Sequence, residues 1–320
     1  MYIVTGGAGF IGSNLVRGLN RRGIDDILVV DDLERGDKHL NLNGMRFADF
    51  VDYRDFERDL ERHAAPKAVL HQGACSDTTE RNGRYMLAVN FEYSKKLYGW
   101  SERHGAPFLY ASSAATYGDG QHGFREEPAC EWPLNVYGFS KLLFDRWMRP
   151  RLASSRCQVV GLRYFNVYGP QENHKERMAS VIFKLHGQAT RGEPLKVFEG
   201  SDRFVRDFVH VDDCVAVNLH FLDQPARRGI FNCGSGRAES FEKLARCTAS
   251  HYALARVEYM PFPADLAGKY QAFTQADLTL LRSKGGYSAA FKTLEQGIAD
   301  YIAILKQSGG YHREQDATKK

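Results

Sequence analysis

Tyr2-Ile3-Val4-Thr5-Gly6-Gly7-Ala8-Gly9-Phe10-Ile11-Gly12 is the stretch on which the fold turns. A short apolar run suited to a buried strand breaks at once into glycines, and Ile11–Arg21 continues with apolar residues at helical spacing. Gly6 permits the tight turn, Gly9 lets a pyrophosphate approach the backbone, and Gly12 allows the helix to pack close to the sheet. The helix N-terminus then turns its unpaired N–H groups and the positive end of its dipole towards the phosphates. A second apolar run, Ile27–Val30, leads into Asp31, 19 residues beyond Gly12, where an acid can reach the adenosine ribose hydroxyls. Strand, turn, helix and acid together predict a dinucleotide site.

Outward from this unit, apolar runs at Ala68–His71, Phe108–Ala111 and Val159–Tyr164 alternate with helix-like segments at Arg54–His63, Asn90–Arg103 and Val136–Arg149. The alternation predicts an α/β chain with a Rossmann-type, doubly wound parallel sheet over residues 1–170. Later runs at Leu195–Phe198, Phe204–His210 and Gly229–Cys233 alternate with Met178–Gln188 and Phe241–His251. They predict a smaller α/β substrate-binding lobe over 171–310, with segments near 206–233 returning to the main sheet. Residues 311–320 are expected to form a frayed tail.

Composition excludes several classes. The 320 residues are 43% hydrophobic and 26% charged, as in ordinary globular chains, and long enough for a large domain with an added lobe. A net charge of +4 spread over interspersed charges predicts no nucleic-acid partner. No apolar run is long enough to span a membrane, and the opening lacks the basic and apolar regions of an export signal. Cysteines 75, 130, 157, 214, 233 and 247 show no C-x-x-C spacing, so they are expected as reduced thiols in a cytoplasmic protein. None of the eleven histidines has metal spacing with a second ligand, so no metal is expected.

Tyr137-Gly138-Phe139-Ser140-Lys141 places a phenol and an ammonium four residues apart, on one helical face. A free tyrosine, with a pKa of about 10, is a poor base at neutral pH. An adjacent lysine and a positive nicotinamide ring both favour the phenolate, so the pair can take a hydroxyl proton as hydride leaves. Ser113 follows the Phe108–Ala111 run, 24 residues before Tyr137, and can hydrogen-bond the same oxygen. A Tyr-x-x-x-Lys pair alone is commonly a surface pair; with the glycine turn upstream it predicts a redox triad of Ser113, Tyr137 and Lys141.

The Gly-x-x-Gly-x-x-Gly spacing resembles the short-chain dehydrogenase/reductase superfamily. At this point Asp31 favours NAD, whereas Arg35 and Lys38 after Asp31-Asp32 suit the 2′-phosphate of NADP, and both cofactors stay open. The order glycine loop, Gly73-Ala74, Asn90, Ser113, Tyr137 and Lys141 resembles the extended branch of that superfamily, which acts on nucleotide sugars. Arg163 to Pro170 and Arg206 to Asp213 extend the match. Further blocks, at Phe198-Glu199-Gly200-Ser201, Gly236 to Phe241 and Tyr270 to Asp277, make the chain similar from end to end to the ADP-heptose 6-epimerase family.

That resemblance implies an isomerase that inverts carbon 6 of an ADP-heptose through a transient ketone, with retained NADP, in lipopolysaccharide core synthesis. It implies Tyr137 as one acid–base and Lys175 as a second, reached after the ketone has turned over. For the cofactor it carries over Phe10, Ile11, Asp31, Asp32, Lys38, Gln72, Gly73, Ala74, Cys75, Ser76, Asn90, Lys141, Val167 and Lys175. For the substrate it carries over Asn166, Phe198, Glu199, Gly200, Ser201, Arg206 and Tyr270, with Arg177 and Lys184 at positions that line the sugar site. It also implies a homo-oligomer, a pentamer.

Read without the family, several of these residues are ordinary. Lys175 is a solvated loop lysine, His174 a surface histidine, Asn90 a helix cap, Cys75 a packed small residue, and Arg206 the partner of Asp207 or Asp213. Tyr53, Arg177 and Lys184 depart from the family pattern. Tyr53 stands where a lysine near the 2′-phosphate is usual, and Arg177 and Lys184 replace a small hydroxyl residue and a histidine. Two rival functions share this fold: another nucleotide-sugar enzyme, such as a 4-epimerase or a dehydratase, and a non-catalytic nucleotide sensor. Ala114-Ala115 after Ser113 lacks the acidic pair that dehydration needs, and the intact Ser113, Tyr137 and Lys141 disfavour a sensor.

Overall fold

A computed structural model describes residues 1–34, 36–262 and 272–313. Along the chain, strand β1 (Tyr2–Thr5) enters α1 (Phe10–Arg21), followed by β2 (Ile27–Asp31), β3 (Asp49–Asp52), α2 (Tyr53–Arg58) and β4 (Ala68–His71). Next come α3 (Gly83–Leu87), a π-helical turn at Ala88–Glu92, α4 (Tyr93–Arg103), β5 (Phe108–Ser113), α5 (Val136–Met148), β6 (Val159–Tyr164) and β7 (Asn166–Tyr168). The later elements are α6 (Val181–Thr190), β8 (Leu195–Phe198), β9 (Val205–His210), α7 (Val211–Leu222), β10 (Gly229–Cys233) and β11 (Ala238–Ser240). The last are α8 (Phe241–Ala249), β12 (Val257–Met260), α9 (Thr279–Ser283) and α10 (Leu294–Ser308).

Seven parallel strands form the main sheet in the order β10-β6-β5-β4-β1-β2-β3. Helices cover both faces, so the inner strands read as continuous apolar runs; every residue of β2 and of β6 is buried. β3 sits at the edge, half-exposed and with an aspartate at each end, so its apolar run is only Phe50-Val51, too short to read as a strand from sequence. The order reverses at β1, with β2 on one side and β4 on the other, and the crevice at the carboxyl ends of these strands is where such sheets bind ligands.

A second, smaller body holds the three-stranded sheet β11-β9-β7 and the pair β12-β8, with α6, α8 and α10 around them. The two bodies are interleaved. β10 completes the main sheet against β6, and Val215 and Leu219 of α7 close on Gly18 of α1. Tyr311 and His312 do not fray as expected. His312 is buried and donates from Nε2 to Asn14 Oδ1 at 3.2 Å. Residues 314–320, the rest of the expected tail, lie outside the described residues. α10, unread from the sequence, starts with a capping box in which Thr293 and Gln296 satisfy each other's backbone N–H groups. Among the described residues, no helix is long and apolar enough to cross a membrane, and no cluster of three His, Cys, Asp or Glu could hold a metal ion.

Candidate active site

The glycine loop is fixed by contacts that admit no side chain. At Gly6, where φ is +65°, a Cβ would lie 2.6 Å from the backbone nitrogen of Gly73; at Gly12 it would lie 1.9 Å from the Gly6 carbonyl oxygen. Gly9 is the N-cap of α1, no side chain caps that helix, and its first turn holds no acid. The N–H groups at its start are therefore open to an anionic group, which is the environment a pyrophosphate needs.

Asp31 braces this loop. Its Oδ2 accepts from Ala8 N at 2.8 Å, while Oδ1 accepts from Asp32 N at 2.8 Å and from Lys38 Nζ at 2.5 Å. Lys38 also reaches Asp32 Oδ1 at 3.2 Å. Burial pushes the Asp31 carboxyl up, against the pull of Lys38. Arg54 lies 5.0 Å over the Tyr53 ring and pairs with Glu34, which puts a second cation beside this end of the sheet. Arg35 lies outside the described residues.

Behind the loop runs a hydrogen-bond chain of one polarity. Gly73 N donates to Thr5 Oγ1 (3.2 Å), Thr5 Oγ1 bonds His71 Nδ1 (2.6 Å), His71 Nε2 bonds Ser94 Oγ (2.8 Å), and Ser94 Oγ donates to the Asn90 carbonyl (2.7 Å). Because the Ser94 proton is spent on that carbonyl, His71 must donate from Nε2 and accept at Nδ1. Burial, helped by Lys141, lowers the His71 pKa to about 3, so the ring stays neutral. The Asn90 amide grips Cys75: Oδ1 accepts from Cys75 N at 2.8 Å, and Nδ2 donates to Cys75 O at 2.9 Å and to Ser140 Oγ at 3.0 Å. Ser140 in turn donates to the Tyr137 carbonyl at 2.7 Å. With its amide used inside the protein, Asn90 joins the Gly73–Ser76 loop to the helix that carries Tyr137.

The triad assembles where β5 ends and α5 begins. Ser113 Oγ accepts from Ala115 N at 3.1 Å, which leaves its proton for the Tyr137 oxygen. Burial raises the Tyr137 pKa and the Ser113 hydrogen bond opposes that rise. One turn along α5, Lys141 Nζ donates to Ala111 O at 3.0 Å, and burial lowers its pKa to about 8. A further turn along, Asp145 is completely buried. It accepts from Tyr110, from Ser112 and, at 2.9 Å, from Arg163 Nε. Arg163 also reaches Glu131, which binds Arg149. The sequence reading gives Asp145 and Glu131 no part; for Asp145 the four-residue spacing with Tyr137 and Lys141 on one face of α5 is an available signal, whereas Glu131 lies before that helix and has none.

Across the glycine loop, Lys175 Nζ lies 5.0 Å from the centre of the Phe10 ring. Burial lowers its pKa, Lys184 adds to that, and Glu172 opposes it. Lys175 is thus a half-buried lysine resting on Phe10 rather than a fully solvated one. The exposed guanidinium of Arg177 donates to Asp77 Oδ2 and Thr79 Oγ1, each at 2.7 Å, and Lys184 Nζ donates to the Arg177 carbonyl at 2.8 Å. Thr79 and then Arg177 hold the Asp77 carboxyl down at about 2.

In the second body, Asn166 is exposed on β7 beside half-buried Val167. Phe198 to Ser201 turn out of β8, with Gly200 at φ +78° and Ser201 buried. Buried Arg206 lies 5.7 Å over the Phe241 ring. The acids expected to partner Arg206 have other donors. Asp207 accepts from Ser235 N, Ser235 Oγ, Gly236 N and Ala276 N, and Asp213 accepts from Lys292 N. Tyr270 lies outside the described residues.

Against known proteins, the sequence pattern of the NAD dependent epimerase/dehydratase family matches residues 2–234. The ADP-L-glycero-D-manno-heptose-6-epimerase of Brachyspira hyodysenteriae is 51% identical over 317 residues, covering 97% of this chain and 99% of its own. Among solved structures, the ADP-L-glycero-D-manno-heptose-6-epimerase of Helicobacter pylori superposes with a TM-score of 0.84 at 30% identity, covering 96% of each chain. UDP-glucose 4-epimerase of Thermotoga maritima, solved with UDP-glucose, superposes at 0.79 with 28% identity, over 96% of this chain and 99% of its own.

Proposed function

The chain belongs to the NAD dependent epimerase/dehydratase family, and from that premise we propose that it interconverts the carbon-6 epimers of ADP-glycero-manno-heptose. The near-full-length match to the Brachyspira enzyme carries the choice of substrate. The residues fit a dinucleotide: the uncapped start of α1 for the pyrophosphate, Asp31, Asp32 and Lys38 for the adenosine ribose, and Gly73 to Ser76 with Lys141 for the nicotinamide end. Bound there, the nicotinamide supplies a hydride acceptor that later gives the hydride back. We assign NADP: Lys38, paired with Asp31 and Asp32, and Arg54, paired with Glu34, are cations at this end of the sheet that support binding of a 2′-phosphate.

Tyr137, as the phenolate that the Ser113 hydrogen bond and the Lys141 ammonium favour, takes the carbinol proton and becomes the phenol as the hydride leaves the same carbon. After the sugar ketone turns over, its oxygen faces away from Tyr137, and Lys175, over Phe10, supplies the second proton transfer. Asn166, Phe198 to Ser201 and Arg206 hold the nucleotide sugar, the guanidinium suiting its diphosphate. The working form is a cytoplasmic homo-oligomer.

The test is incubation with ADP-D-glycero-β-D-manno-heptose, resolving the two epimers by chromatography and proton NMR. Conversion without added cofactor is expected, and extraction of the bound nucleotide identifies NADP. A folded protein that converts nothing even with added NAD and NADP removes the heptose assignment, and UDP-hexoses become the next substrates.

A further inference from the structure

Lys175 lies in a short 3₁₀ segment, Asn173–Met178, which cannot fix its own direction. Two residues with left-handed backbone flank it: Gln171, with φ +77°, and Glu176, with φ +46°. Non-glycine residues hold such angles only where the surroundings over-determine them. At Gln171 the surroundings are explicit. It is fully buried, its Nε2 donates to Asn41 O at 2.8 Å, and its own carbonyl accepts from Asn41 Nδ2 at 3.1 Å. Asn41 Nδ2 also reaches Ala8 O at 2.9 Å and His174 Nδ1 at 3.1 Å.

From the other side comes the C-terminal segment. Gln171 N donates to Gly310 O at 2.8 Å, His312 N to Gln171 Oε1 at 3.4 Å, and Asn173 Nδ2 to Gly309 O at 2.7 Å. His312 then binds Asn14, whose Nδ2 donates to Phe10 O at 2.9 Å and to Pro170 O at 3.0 Å. Both branches therefore end on the glycine loop, at Ala8 and at Phe10, and Phe10 is the residue over which Lys175 Nζ lies.

We propose that Gln171 is a positioning residue for Lys175: bracketed by Asn41 and the Gly309–His312 segment, it suspends Lys175 at a fixed place above the glycine loop. The proposal rests on the reading of Lys175 as the second acid–base. Gln171 touches no reacting atom; it acts through the backbone of the segment it starts. The epimer whose proton passes through Tyr137 is indifferent to this bracket, and the epimer that needs Lys175 depends on it.

The test compares Gln171→Met, which keeps length and bulk but removes both side-chain hydrogen bonds, with His312→Phe, which detaches the tail from Asn14, and with Lys175→Met. Each carbon-6 epimer is added separately to the nucleotide-loaded protein, and reduction of the bound nicotinamide is followed by its absorbance. Lys175→Met is expected to silence one epimer only. Gln171→Met should slow that same epimer by about 100-fold, as a displacement of about 1 Å does, with KM and nucleotide content little changed. His312→Phe should act in the same direction more weakly, and it carries the test if Gln171→Met does not fold. Normal rates with both epimers, or equal slowing of both, in the folded bracket variants would overturn the proposal while the role of Lys175 stands. If Lys175→Met itself spares both epimers or slows both equally, the role of Lys175 falls and the bracket has nothing to position.

Discussion

Tyr137 and Lys141 are a turn apart, and their surroundings work on them in opposite senses: burial favours the neutral phenol and equally the neutral amine. Tyr137→Phe is expected to lower epimerisation by about 10²–10⁴-fold, the usual contribution of a positioned acid–base, with nucleotide still bound. A retained rate would remove the phenol from the chemistry. Lys141 also bears on stability. Its folded pKa of about 8 lies below the ordinary 10.5, so between those values the unfolded chain holds the proton and the folded one does not; stability therefore rises with pH across that window. Lys141→Met removes the buried charge and should stabilise the nucleotide-free protein near neutrality by on the order of 1–3 kcal/mol while abolishing turnover. Urea midpoints for parent and variant should converge as the pH climbs towards 10.5. The triad was legible because three chemistries stand at fixed spacings in one dimension. Gln171 and Asn41 were not, since neither residue type nor spacing distinguishes an amide that bridges 130 positions from one facing water.

Among the elements, the first βα unit was plain from its glycines because each is demanded by a contact. Gly12→Ala would drive a methyl into the Gly6 carbonyl and should cost at least the 1–3 kcal/mol typical of overpacking, together with loss of bound nucleotide. Thermal melts with nucleotide extraction would show it; a stable, loaded variant would mean that the loop yields. The buried ions at the back of α5 predict a larger effect. Arg163 is wholly enclosed between Asp145 and Glu131, so Arg163→Met leaves two buried carboxylates short of a partner and should destabilise by about 3–5 kcal/mol in denaturant unfolding. Element boundaries were less legible than element types. Arg54–His63 ends early, at Arg58 with a 3₁₀ turn after it, and Met178–Gln188 begins only at Val181, capped by Ser180. At Val181 the limit is set by Ser180, whose hydroxyl accepts from Phe183 N, rather than by apolar periodicity; at Arg58 the chain tightens into the 3₁₀ turn with no side-chain cap.

For the whole molecule, the sequence suggests a first domain of 170 residues, with segments near 206–233 returning to its sheet, followed by a lobe; β10 lies in that sheet, and the packing is shared. Leu15, Val16 and Leu19 of α1 lie in the same core as Val215 and Leu219 of α7, Phe231 of β10, and Tyr287 and Phe291 beyond α9. A fragment ending at residue 170 keeps the α1 side of this core but lacks Val215, Leu219, Phe231, Tyr287 and Phe291, and it should be insoluble or molten, lacking near-ultraviolet circular dichroism; a cooperatively folding fragment would contradict the shared core. The return was legible but its partner was not, because pairing between β6 and β10 is long-range and apolar runs do not name their partners. The late arrival of β10 also has a consequence for synthesis. Gly229 lies 65 residues beyond Tyr164, so at ribosomal speeds of about 5–20 residues per second the open edge of β6, a strand buried along its whole length in the finished fold, emerges about 3–13 s before the strand that covers it. During that interval the nascent chain bears a sticky, unmatched margin, and its safe delivery depends on whatever shields that margin until Cys233 has been made.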